Sequence, residues 1–119
     1  MKKLLFLILV ASFNVSSAEQ AITQWVYNTL ERAQANLDKG NIEAAEKIYY
    51  DYANDTWSSR SYDHFVILRT YAYFLLSNDR NEEALRYLKQ ASLKRDMPPY
   101  DIFELHFTLG QVYYVTGDR

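Results

Sequence analysis

Residues 65–91 read FVILRTYAYFLLSNDRNEEALRYLKQA, and this stretch decides the fold. Phe65, Leu68, Tyr71, Ala72, Leu75 and Leu76 recur at helical spacing. Val66, Ile67, Tyr73 and Phe74 make the same segment apolar nearly all round, which predicts a helix buried between neighbours. Ser77, Asn78, Asp79 and Arg80 form a turn. Asn81 is then the expected cap of a second helix, with Glu82 and Glu83 in a first turn where the helix dipole favours negative charge. Ala84, Leu85, Leu88 and Ala91 carry its apolar stripe. The stretch is a helical hairpin.

The same grammar extends outward on both sides. Upstream, Trp25, Val26, Thr29, Leu30, Ala33 and Leu37 keep helical spacing, and Gly40 stops the helix. Asn41 is the expected cap of the next helix, with Glu43 in its first turn and Ala45, Ile48, Tyr49 and Tyr52 as its stripe. Residues 56–61 are polar and read as a loop. Downstream, Met97, Pro98 and Pro99 halt the fourth helix, since proline cannot continue one. Asp101 and Glu104 have the spacing of a capping box for a fifth, which runs through Ile102, Phe103, Leu105, Leu109, Val112 and Tyr113 and closes near Gly117. Three glycines and two prolines against nineteen aromatics fit long helices better than a many-turned β-fold. The expected class is all-α, with antiparallel helix-turn-helix repeats in a short right-handed α-solenoid of five helices.

The amino terminus stands apart from that pattern. Lys2 and Lys3 precede the apolar run Leu4 to Ala11, and a polar stretch closes on Ser16, Ser17 and Ala18. This is the pattern of a signal peptide, 1–18, cut after Ala18, and the run is too short to span a bilayer. The domain is then 19–119, with eleven basic and fifteen acidic residues, a net charge of −4. With no dense Lys/Arg run, it lacks the footprint of a nucleic-acid binder or of a membrane-surface helix. The chain has no cysteine, so an exported fold must be held by its core, without thiolate metal sites or thiol chemistry.

An internal repeat runs through these helices. Ala33 precedes Ala45 by twelve residues and Ala72 precedes Ala84 by twelve, while Ala33 precedes Gly40 and Gly110 precedes Gly117 by seven. Small residues at such places let antiparallel helices approach closely. The pattern resembles the tetratricopeptide repeat. Ala33, Ala72 and Gly110 match its eighth position, Ala45 and Ala84 its twentieth, and Ala91 its twenty-seventh. Tyr113 matches the eleventh and Tyr49 the twenty-fourth, and the likeness covers 25–119, about two and a half repeats. The units are spaced 39 and 38 residues against about 34 for the family. Asp79 stands where the turn glycine is usual, Tyr52 replaces the small residue of unit one, and that unit lacks the terminal proline. An unrelated five-helix bundle is the alternative. Residues 61–114 are also similar to the tetratricopeptide component found with some TonB energy-transduction systems, whose members are exported and longer. That resemblance implies a periplasmic accessory of a TonB, ExbB and ExbD assembly for iron-complex uptake.

Candidate chemistry is sparse. His64 and His106 lie 42 residues apart without ligands at metal spacing, and they read as surface or packing histidines. Asp51, Asn54 and Asp55 lack the glycine and bidentate glutamate of a calcium loop. No nucleophile elbow, zinc helix or phosphate loop occurs, so no catalytic residue, cofactor or metal is expected. Repeat architectures bind partners along the groove lined by their first helices. The expected lining is Tyr27, Leu30, Gln34 and Leu37, then Val66, Arg69, Tyr73 and Leu76, then Glu104, Phe107, Gln111 and Tyr114. Leu30 and Gln34 occupy positions where some family members carry a clamp for a carboxyl-terminal peptide, which disfavours that ligand. The expected role is an exported, non-catalytic scaffold for a protein or peptide. Alternatives are an inhibitor or immunity-like partner of one target, or a regulatory fragment of a larger exported protein. The last helix lacks a hairpin mate, so self-association over its open face, or a longer array, is a further expectation.

Overall fold

A computed structural model describes residues 21–55 and 61–117. The expected leader and its cleavage point lie outside the described residues, as does all of the 56–61 linker except Ser61, which already belongs to a helix. Five helices follow one another: α1 (Gln24–Asp38), α2 (Ile42–Ala53), α3 (Ser61–Ser77), α4 (Asn81–Ser92) and α5 (Pro99–Thr116). No strand occurs among the described residues, and each helix packs chiefly on its neighbour in the chain. The fold is an all-α, repeat-like succession of helical hairpins.

The repeat is visible bond by bond in the two tight turns. Gly40 N–H donates to the Leu37 carbonyl at 3.0 Å, and Asp79 N–H, 39 residues on, donates to Leu76 at 3.1 Å. Asn41 N–H reaches the Asn36 carbonyl at 2.8 Å, and Arg80 N–H reaches Leu75 at 2.9 Å. These six-to-one bonds satisfy carbonyls that a helix end otherwise leaves open, and they need a left-handed residue between. Gly40 supplies it at φ 83°, and Asp79 supplies it at φ 61° without being glycine. Aspartate is among the few side chains that tolerate this region. The missing turn glycine therefore leaves the hairpin intact.

Ala33, Ala45, Ala72 and Ala84 are wholly buried, as close helix packing requires. The central helix α3 buries eleven of its seventeen residues, so it is enclosed on most sides. Tyr71 is its hub: its ring lies 4.8 Å from Tyr87, 6.0 Å from Tyr49 and 6.1 Å from Phe74. Aromatic pairs at such separations add to the free energy of burial, and here they join α2, α3 and α4. The Tyr71 hydroxyl donates to Glu46 at 2.6 Å, and Arg80 grips the same carboxylate with two bonds of 2.8 Å.

Two helix starts differ from expectation. Asp101 caps nothing: α5 begins at Pro99 behind Pro98, because proline at the first helical position has no N–H to satisfy. Asn81 is already helical and Arg80 holds the cap position of α4, its backbone fixed by the turn. Asn41 is the N-cap residue of α2 without a side-chain capping bond. Thr23 caps α1 through its hydroxyl, and its own N–H donates to the buried Asp63 carboxylate of α3 at 3.1 Å.

Candidate functional site

Three turns of α3 and the start of α5 meet around Arg69. Its side chain is 7% exposed, and its guanidinium lies 3.1 Å from Asp101, 3.6 Å from Glu104 and 5.2 Å from the centre of the Phe65 ring. One Glu104 oxygen is buried without a hydrogen bond. Two carboxylates share one cation here, with Tyr62 and Tyr73 alongside. Burial foremost, helped by the nearby Asp101 carboxylate, pushes the Tyr62 phenol up to about 12. Burial likewise raises that of Tyr73.

This cluster corrects the expected groove. Arg69 is buried and ion-paired, so it offers no donor to a partner, and Glu104 is turned onto it. Val66 and Leu76 are buried too, which leaves half-buried Tyr73 as the share of α3. The physical reason is that a middle helix is covered from both sides, and a long Arg there is retained by carboxylates from the next unit. Leu30 and Leu37 are half-buried against the core. What stays open lies on the outer first helices. Tyr27 is 49% exposed and Gln34 is exposed on α1, while Phe107 at 55% and Tyr114 at 72% stand out on α5, with Gln111 half-buried beside them. Gln34 donates within its own helix, to Asp38.

Gly110 also differs from expectation. It is exposed, and a Cβ added there would meet nothing within 4 Å. Unlike Ala33 and Ala72, it mediates no close approach among the described residues, since no second helix of its unit lies over it. Around it, Tyr100, Phe103, Phe107 and Tyr114 are 55 to 72% exposed on α5. Phe103 is not among the residues expected to line the groove, yet it stands in the open with Phe107 and Tyr114. The steps of three and four residues from Tyr100 to Phe103, Phe107, Gly110 and Tyr114 already marked a second, separate stripe.

No protein-family model, curated protein or solved structure matches the chain. Of the remaining candidates for chemistry, His64, Asp51 and Asn54 make structural contacts. His64 Nε2 lies 2.9 Å from the Ala53 carbonyl, to which it can only donate, and so ties α3 to the end of α2. His106 is exposed. Among the described residues no three His, Asp, Glu or Cys side chains are grouped to hold a metal ion. Asp51 pairs with Lys47 at 3.0 Å, and Asn54 Nδ2 donates to the Tyr50 carbonyl and the Tyr87 hydroxyl. A shallow, open depression is lined by Glu43, Glu46, Lys47, Tyr50 and Asp51. Among the described residues no helix is long and apolar enough to cross a membrane.

Proposed function

We propose that the chain is an exported, non-catalytic tetratricopeptide-type scaffold that holds a partner protein or peptide. The observation that carries this reading is the register of the first helices. Gln34, Tyr73 and Gln111 fall at the same place in successive units, and Tyr27, Phe107 and Tyr114 fall at other expected groove positions. Tyr27, Gln34, Phe107 and Tyr114 stay exposed while the hairpins beneath are closed by core packing and ion pairs. Tyrosine and phenylalanine left exposed in this way are costly in a soluble domain unless something covers them. They also bring large contact area at low conformational cost, which suits them to anchor a partner. The basic n-region and apolar run of the leader support export. The likeness to the TonB-associated component makes a TonB, ExbB and ExbD assembly the first partner to test.

Capture from periplasmic extract tests the reading. Arg69 is unsuited as a control site, because its loss would strip the counter-charge from Asp101 and Glu104. The exposed pair Tyr27→Ala/Gln34→Ala should fold normally and lose the captured protein. Recovery of TonB-system proteins by the unaltered chain alone supports the specific version. One unrelated target turns the assignment toward an inhibitor of that target. Capture of nothing, or capture indifferent to the substitutions, refutes the α1 surface.

A further inference from the structure

We propose that the α5 part of this surface is covered by a second copy of the chain, through an antiparallel pairing of α5 with α5 about a two-fold axis. The inference rests on reading that surface as an interaction site, and it names the occupant. The face is self-complementary. Phe103, Phe107, Gly110 and Tyr114 follow one another by four, three and four residues, the spacing that keeps side chains on one seam of paired helices. In an antiparallel pair centred between Phe107 and Gly110, Phe107 of each copy lies over Gly110 of the other. Phe103 of each then lies beside Tyr114 of the other. The ring meets a place where no side chain stands and where a Cβ has open space, so the notch and the knob that fills it are on the same helix. A two-fold interface requires such a patch, complementary to itself.

Charge and area agree. Apart from His106, the only Asp, Glu, Lys or Arg side chains on α5 are Asp101 and Glu104, and both are turned onto Arg69. Two identical faces therefore meet without exposed carboxylate or ammonium groups to repel one another. Tyr100, Phe103, Phe107 and Tyr114 are 60, 69, 55 and 72% exposed. At about 150–250 Å² per aromatic side chain, they expose roughly 500 Å² per copy. Two copies thus bring about 1,000 Å² from aromatics alone, the lower bound for a specific interface. Helix α5 packs chiefly on α4, with Arg69 of α3 at its start, and among the described residues no other helix makes comparable contact with it.

Sedimentation of the purified full chain across a concentration series tests the proposal, with circular dichroism to verify folding of each variant. The unaltered chain should be a dimer that dissociates on dilution. Gly110→Leu fills the notch in open space, so it should fold as before and raise the dimer dissociation constant at least tenfold; Phe107→Ala should do the same by removing the knob. Because the chain has no cysteine, Phe107→Cys and Gly110→Cys chains mixed under oxidation should form the mixed disulfide in preference to either homodimer. A monomer at all concentrations, a dimer indifferent to both substitutions, or no preference for the mixed disulfide overturns the pairing. A monomer that still captures its partner through Tyr27 overturns the dimer alone, whereas a dimer that captures nothing overturns the scaffold reading alone.

Discussion

Glu46 accepts hydrogen bonds from Tyr71 and from both terminal nitrogens of Arg80, and that guanidinium holds its carboxyl below the usual range. A carboxyl lowered in the folded chain binds fewer protons there than in the unfolded one. The stabilisation is therefore present above the ordinary value of 4.5 and is lost as pH falls through the folded value. Melting temperatures followed from neutral pH into this acid range should decline, and Glu46→Gln should flatten that decline while costing about 1–2 kcal/mol at neutral pH. Small residues on α4 and α5 make a second contrast. Ala84 is wholly buried and nothing lies within 4 Å of a Cβ at Gly110. Ala84→Leu should cost about 1–3 kcal/mol by overpacking. Gly110→Ala should stabilise the dilute chain by about 0.5–1 kcal/mol through helix propensity. Urea unfolding separates the two. The spacing that equated Gly110 with Ala33 and Ala72 was legible in the sequence; that nothing lies within 4 Å of a Cβ at Gly110 was not, because it depends on which elements are neighbours.

The helices were readable as elements because their apolar periods, Gly40 and the proline pair are local signals. Their starts were less so. Asp101 has capping-box spacing from Glu104, yet both carboxylates turn to Arg69, 32 residues away from Asp101. A charge satisfied across helices outcompetes a local cap whose place Pro98 and Pro99 already fill. This buried set also predicts how α3 and α5 depend on each other. Arg69→Met leaves two carboxylates without their cation and should destabilise the fold by about 3–5 kcal/mol. Adding Glu104→Gln should return part of that loss, and the double-mutant cycle in urea measures the coupling. Additive losses would mean that the two side chains act independently.

Across the whole molecule, tyrosines gather at two places: Tyr49, Tyr71 and Tyr87 between α2, α3 and α4, and Tyr62 and Tyr73 beside the ion pair of α3 with α5. Burial raises the phenols of Tyr49, Tyr71 and Tyr73, and it pushes Tyr62 up to about 12. These groups stay protonated in the folded chain when the unfolded chain has begun to lose protons near pH 10. The folded state thus binds more protons, and stability must fall as pH rises past that value. Circular dichroism should show alkaline unfolding that begins above about pH 10, and Tyr62→Phe should make its onset shallower. An unfolding curve flat through that range would mean the phenols are not shielded.

The sequence by itself determined the all-α hairpins, their register and the buried alanines, because periodicity and turn chemistry act over a few residues. Only the tertiary structure decided which apolar and charged side chains are available. It enclosed Arg69, let Asp79 serve where glycine was expected, and left Phe103, Phe107 and Tyr114 in the open. The physical reason is that exposure is set by neighbours distant in the chain, and where a helix is apolar on two faces, as α5 is, its sequence does not mark which of them a neighbour will cover.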